Sequence, residues 1–329
     1  KIKSNSTIKT ISIRNEQGEL KKEKEISNHL DSYINDAIQF NHQILIHLVA
    51  GTKTNVHIPS LNKINSLTEK YSNQIHVLVD AAQGRFSRKG INSCLEKNWM
   101  VMTTASKFFG GPPFSGVILL PRKYHFDFEW NEEMETFFDY DAIFSTKNNF
   151  AKIKMKGVIL RWYAGIYEMK RYYEIPPNIR QMFLNWFEKE VSEIFQESET
   201  LAWTNIPQLE ITKRNQMMQP NMTILSFKLR RNKQSNWLNM EELKMIHKNM
   251  ISPDNRNSYP IHLGQPVLIS KNGSIGALRI ALGANIIQRM NIEIEKSGSI
   301  KSAHTKLQSW LSETKNMLDY NLTNLEKVN

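Results

Sequence analysis

The sequence predicts an α/β fold: a three-layer αβα unit on a mostly parallel sheet, followed by a smaller α+β domain. Three observations predict it. Short apolar runs of strand length alternate with amphipathic helical stripes over the first 120 residues, the pattern of buried parallel strands and their crossovers. From about residue 155 the texture changes to long aromatic helices. Pro176-Pro177 then breaks the chain and sets a boundary between a large domain, residues 1–175, and a small domain, residues 176–329.

Residues 7–13 alternate, with Ile8, Ile11 and Ile13 apolar, and read as a short strand closed by the turn Asn15-Glu16-Gln17-Gly18. Ile26, Leu30, Tyr33, Ile34, Ala37 and Ile38 mark one face of a helix. Ile44–Val49 reads as a buried strand. After the loop Gly51–Pro59, Ser60 is placed to cap a helix carrying Leu61, Ile64, Leu67 and Tyr71. Ile75–Val79 is the next strand and stops at Asp80. A short helix at Asn92–Lys97 leads to strands Trp99–Thr103 and Ser115–Leu120. Residues 125–155, aromatic and acidic and then rich in Asn and Lys, read as a long surface loop.

Beyond that loop, Ile159, Tyr163, Ile166 and Tyr167 share a helical face. A second helix carries Ile179, Phe183, Trp186, Phe187, Val191 and Ile194, a stripe suited to a core or a dimer interface. Strand Thr223–Leu229, a helix around Met240–Met250, a strand near Leu278–Leu282 and a closing helix from about Ile300 to Leu325 complete the small domain.

Composition narrows the function. Lys and Arg number 43 against 32 Asp and Glu, a net charge of +11 that attracts anions such as phosphorylated cofactors. The basic residues are scattered and no nucleic-acid module is legible, so a nucleic-acid partner is not expected. The longest apolar runs, such as Ile44–Val49 and Val117–Leu120, fall far short of the ~18 residues of a membrane helix, and no membrane partner is expected. Cys94 is the only cysteine, which excludes an intrachain disulfide and a cysteine-built zinc site and suits a reducing, cytoplasmic compartment. The histidines show no metal-ligand spacing, so no metal is expected.

Two stretches concentrate chemistry: Val77-Leu78-Val79-Asp80-Ala81-Ala82-Gln83 and Thr103-Thr104-Ala105-Ser106-Lys107-Phe108-Phe109-Gly110-Gly111-Pro112. In an open parallel sheet, ligands bind outside the carboxyl ends of the strands. Asp80 lies at one such end and Lys107 just past the next. An amine there can form a Schiff base, and an acid can pair with a protonated ring nitrogen. Thr104, Ser106 and the glycines after Lys107 suit close approach of a phosphate to backbone.

These stretches, in this order and spacing, resemble the fold type I pyridoxal-phosphate enzymes, specifically the class V aminotransferase group. The likeness covers about residues 5–290. It implies that Lys107 is catalytic and holds the cofactor through a Schiff base. Asp80 would pair with the pyridine nitrogen, Gln83 would bond the ring's phenolic oxygen, and Thr104 would bind the phosphate. Ser106 stands where many members have His, and Thr52 where many have Asn. Thr146, in Ser145-Thr146-Lys147-Asn148, resembles a loop that reaches the neighbouring subunit's phosphate in a homodimer. Arg279 sits like the arginine that grips the substrate α-carboxylate, a bidentate role suited to guanidinium. The resemblance further implies about 100 residues ahead of Ile8, the size of a small domain, bearing a phosphate-cradling turn and a ring-stacking aromatic. Residues 1–50 supply neither, so that part of the fold is expected to be missing from this chain. The expected function is an aminotransferase acting on an amino acid. A lyase or decarboxylase of the same fold, or a non-catalytic binding or dimerisation module, is the alternative. No Cys follows Cys94, which excludes cysteine desulfurization by a loop cysteine.

Overall fold

The structure, a computed structural model, describes residues 6–57, 59–124, 156–204, 222–251, 263–270 and 273–325. The first half contains α1 (Glu23–Gln39), β1 (Ile44–Val49), α2 (Leu61–Lys70), β2 (Ile75–Ala81), α3 (Arg88–Glu96), β3 (Met100–Thr104) and β4 (Gly116–Leu119). The strands line up in chain order. β1, β2 and β3 are parallel, with Val49 beside Asp80 and Asp80 beside Met102; β4 is antiparallel to β3. Crossovers through α2 and α3 put both helices on the same face, because each connection is of one hand. There Leu30 and Ile34 of α1, Ile64 and Leu67 of α2 and Cys94 of α3 close over Val77, Val79 and Val101. Ser60 caps α2 by accepting from the Lys63 N–H at 3.4 Å. Ser87 caps α3 by accepting from Gly90 at 2.9 Å, which starts that helix at Arg88, ahead of the expected Asn92.

Two expectations are corrected here. The sheet is mostly parallel, but among the described residues helices cover only one of its faces. Leu45 and Val49 of β1 and Ile118 of β4 are exposed on the other. An apolar run such as Ile44–Val49 signals the lack of a polar face, not two covered ones. Residues 7–13 form no strand either: Ile8 is exposed, and only a single bridge, Arg14 to Leu20, spans the turn at Gly18. Ile11 packs on the core, but the alternating segment finds no strand to pair with.

The second half contains α4 (Lys156–Glu174), α5 (Pro177–Ile194), β5 (Leu201–Trp203), β6 (Ile224–Leu229), α6 (Met240–Ile251), β7 (Leu263–Leu268), β8 (Gly276–Ala281), α7 (Ala284–Ser297) and α8 (Ile300–Asn324). Its sheet is antiparallel throughout, in the order β5-β6-β8-β7. Phe183, Phe187 and Val191 of α5 and Leu307 and Leu311 of α8 build the core with Leu225 and Phe227 of β6. Pro177 begins α5, where its missing N–H costs nothing. In α4 the stripe Ile159, Tyr163, Ile166 and Tyr167 shares a face as expected, but that face is exposed. The helix instead packs through Gly165, whose added Cβ would meet the Ala105 Cβ at 2.7 Å. No helix among the described residues is long and apolar enough to cross a membrane.

The two halves meet where the chemistry was expected. Phe108 and Phe109, in the loop after β3, belong to the core of the second half together with Tyr172 and Ile175. The Phe108 carbonyl accepts from the Ala284 N–H at 2.7 Å, tying that loop to the start of α7.

Candidate active site

Along β2 burial alternates strictly, with Ile75, Val77, Val79 and Ala81 turned into the core. Asp80 therefore projects to the opposite face, at the carboxyl end of the strand. Its Oδ1 accepts from the Ala82 N–H at 2.9 Å, and its Oδ2 lies 3.5 Å from His47 Nε2 on β1.

After β3 the chain turns tightly. The Thr104 hydroxyl donates to the Ser115 carbonyl at 3.0 Å and accepts from the Ser106 N–H at 3.1 Å. Since its proton is used, the Ser106 hydroxyl 2.9 Å away is the donor of that pair. Gly111 bonds back to the Ala105 carbonyl at 2.9 Å, and Gly110 takes a φ of +73°, open to glycine without strain. Phe108 and Phe109 are buried on the far side of this turn and leave Lys107 exposed at its tip. The Asp80 loop packs directly on it. Gly84, at a φ of +72°, sits so close that a Cβ would meet the Thr104 carbonyl at 3.2 Å and the Phe108 Cβ at 3.3 Å.

Lys107 is electrostatically coupled to Asp80, Lys53, Arg279 and Arg85. Partial burial pushes its ammonium below the usual lysine value, Asp80 opposes that, and the three cations reinforce it. The structure thus brings Asp80, Lys107 and Arg279 to one region. Gln83 joins them through Arg85, whose Nη1 donates to the Gln83 carbonyl at 3.1 Å.

Arg279 projects from β8 across β7. Its Nε and Nη2 donate to the Gln265 carbonyl at 3.2 and 3.1 Å, and its Nη1 to the Lys53 carbonyl at 3.4 Å. Three of the five guanidinium N–H donors are so engaged. Thr52 lies in the loop after β1, but its hydroxyl accepts from the Val56 N–H at 3.0 Å and serves the loop itself. Thr146 lies outside the described residues, as does the whole loop 125–155.

Sequence reading missed three participants: His47, Lys53 and Arg85. Arg85 is buried and joins both halves. Its Nε donates to Thr223 Oγ1 at 2.9 Å, its Nη2 reaches the Leu282 carbonyl at 3.5 Å, and its guanidinium lies 5.4 Å from the Phe108 ring centre. Burial first, then Arg279, pushes it down to about 9. The signal was a lone cation in the small-residue run Asp80-Ala81-Ala82-Gln83-Gly84-Arg85, which shows nothing of burial. Arg14 stitches the same seam, donating to Thr54 Oγ1 at 3.1 Å and the Thr204 carbonyl at 2.6 Å. Cys94 is buried and pushed up to about 12, an inert thiol.

A separate cleft of about 750 Å³ on the second half, lined among others by Arg231, Trp237 and Glu242, brings no lysine, cysteine or histidine. No protein-family model matches the chain, and a search of the curated proteins returns no match.

Proposed function

We propose that the chain is a pyridoxal-phosphate-dependent enzyme of fold type I, close in kind to the class V aminotransferases, acting on an amino acid. One observation carries the reading: an amine kept below its usual basicity and a carboxylate share one sheet edge, within electrostatic reach of each other. These groups fit the ring and aldehyde of the cofactor. When bound, pyridoxal phosphate supplies an electron sink for negative charge developing at a substrate carbon.

The chain's own residues have distinct tasks. Asp80, fixed by the Ala82 N–H, holds a proton on the ring nitrogen through its carboxylate. Lys107 Nζ, easier to deprotonate than a free lysine, would be the group that holds the cofactor's aldehyde and would carry protons at the substrate carbon. Gln83 would bond the ring's phenolic oxygen. Ser106 and the Ala105–Gly111 turn serve the phosphate, while Arg279 offers its two unengaged N–H groups to the substrate carboxylate.

A second reading, a non-catalytic relative, is favoured by the hydroxyls of Thr104 and Thr52, both committed to their own loops. One experiment separates the two. Purified protein given pyridoxal phosphate develops a visible absorption band, borohydride fixes the label on Lys107, and Lys107→Ala removes it. A band that survives in Lys107→Ala assigns the site wrongly; a wild type that never gives one supports the second reading.

A further inference from the structure

A dense run of positive charge, Lys228-Leu229-Arg230-Arg231-Asn232-Lys233, ends β6 and borders the cleft of about 750 Å³. Each of its cations is engaged locally. Arg231 Nη2 donates to Glu242 Oε1 at 3.0 Å, and Lys233 meets Glu199 at 3.4 Å. Lys228 Nζ and Arg230 Cζ lie 4.5 and 4.6 Å from the Trp237 ring centre, and Arg230 also donates to the Glu199 carbonyl. Among the described residues Glu242 is the one acid lining the cleft, and its Oε2 accepts from the Asn239 N–H at 2.9 Å. The start of α6 offers no charge either. The Asn239 carboxamide oxygen takes the N–H groups of Glu241 and Glu242 at 2.9 and 3.1 Å. An ion entering here would shed its water without meeting an opposite charge.

What the wall does offer is neutral, and it both donates and accepts. Asn239 keeps its amide NH2, and Asn236, exposed, keeps a whole carboxamide with no partner among the described residues. The Ser235 hydroxyl donates to Asn232 Oδ1 at 2.9 Å, which leaves its lone pairs to accept. Trp237 adds a half-buried aromatic wall, held in place by the two cations against its ring. The frame is stiff as well. The Leu238 N–H donates to the Leu229 carbonyl at 2.7 Å, and the Leu238 carbonyl accepts from the Gly276 N–H at 3.2 Å.

We infer that this cleft binds a neutral saccharide, its ring carbons against Trp237 and its hydroxyls on Ser235, Asn236 and Asn239. A sugar hydroxyl gives one hydrogen bond and accepts others, which matches amides and a serine. The C–H faces of the ring are apolar and suit an indole. The volume lies within the range of small-molecule sites. Leu229 and Gly276 mark the end of β6 and the start of β8, whereas Thr223 and Leu282, beside Arg85, mark the opposite ends. A six-residue strand, about 17–20 Å, therefore separates the cleft from the Lys107 region. The sugar is a ligand in its own right, and the inference stands without the reading of Lys107.

The test presents the full chain, without pyridoxal phosphate, to an array of immobilised neutral mono- and disaccharides. The sugars that bind are then titrated in solution beside adenosine and inorganic phosphate. At least one sugar binds, and Trp237→Ala weakens it by about tenfold or more. Asn236→Ala, an exposed change that leaves the fold intact, weakens it by at least about threefold. The second variant decides the matter if loss of the indole unfolds the loop, which the thermal midpoint reports. Binding of no sugar on the array, or affinity unchanged by Asn236→Ala, overturns the inference. Adenosine bound in preference to every sugar overturns it too and assigns the wall of Trp237 to a base. Phosphate bound alone overturns it by showing that the Arg231–Glu242 pair opens to an anion.

Discussion

A Cβ on Gly264 would stand 3.0 Å from Arg279 Nη2 and 3.1 Å from both its Cζ and Nε. Near-equal distances to three atoms of the group mean that the guanidinium lies face-on over the bare backbone of β7. Gly264→Ala therefore tilts the group off the Gln265 and Lys53 carbonyls. The clash falls on the end of a side chain, so stability drops by no more than about 1 kcal/mol in urea unfolding. Carboxylate affinity suffers more, by about tenfold in a butyrate titration. Unchanged affinity would remove Arg279 from the carboxylate contact.

Gly165 poses the opposite balance. Alanine in a helix gains about 1 kcal/mol over glycine. Its Cβ, however, would lie 2.7 Å from the Ala105 Cβ, and a Cβ on Gly111 would lie 2.9 Å from the Gly165 Cα. Overpacking of a tight contact costs roughly 1–3 kcal/mol, and neither partner is a flexible side-chain end, so the clash wins. Gly165→Ala lowers the thermal midpoint and, by shifting the Ala105–Gly111 turn, slows labelling of Lys107 by pyridoxal phosphate. A raised midpoint would show that α4 can move away freely.

The charge on Arg85 bears on the basicity of Lys107. Burial lowers Lys107, Asp80 raises it, and Lys53, Arg279 and Arg85 lower it further. Removing one of those cations makes the ammonium form easier to keep. Arg85→Met therefore moves the pH profile of imine formation at Lys107 to higher pH, while Arg85→Lys holds it near wild type. The profile, taken from absorbance against pH, separates this from loss of stability alone, which would lower the amplitude without moving the midpoint.

How much of this was written in the sequence depends on the range of the interaction. Ile26, Leu30 and Ile34 are spaced at four residues, and all three are buried in α1; Ile44–Val49 is a strand to the residue. Asp80 and Lys107 at neighbouring strand ends follow from counting strands. Arg85 was not legible, because its burial comes from Thr223 and Leu282, more than a hundred residues away. In α4 the shared face of Ile159, Tyr163, Ile166 and Tyr167 was legible, but the contact is made by Gly165, which carries no hydrophobic signal. The commitment of the Thr104 and Thr52 hydroxyls depends on loop geometry, which residue type alone does not fix.

His57, in the loop after β1, has its Nε2 buried without a hydrogen-bond partner. Burial pulls its value from 6.5 down to about 4, so the folded chain keeps it neutral. Between those pH values the unfolded chain takes up a proton that the native state refuses. Stability therefore falls as pH drops from 6.5 towards 4 and levels off below. The shift corresponds to about 3 kcal/mol at one pKa unit per 1.36 kcal/mol. His57→Phe flattens this limb in urea unfolding between pH 7 and 4. A wild-type curve already flat there would mean that His57 titrates normally.

The second core contains one polar knot whose removal should leave the proposed chemistry alone. Glu190 on α5, 4 % exposed, accepts from His304 Nε2 at 2.9 Å and from Gln308 Nε2 at 3.0 Å, both on α8. His304 also stacks on Trp186 with ring centres 4.4 Å apart. Glu190→Ala strands two donors between packed helices and costs about 3 kcal/mol. Glu190→Gln keeps the shape and one acceptor oxygen and costs about 1–2 kcal/mol. The order Ala worse than Gln, read from urea midpoints, identifies the hydrogen bonds rather than the lost volume as the cause. Because neither helix supplies a group facing Lys107, both variants should give the same pyridoxal-phosphate absorbance per folded molecule as wild type. A changed band would mean that the packing of α5 on α8 reaches the Phe108–Phe109 turn through the shared core.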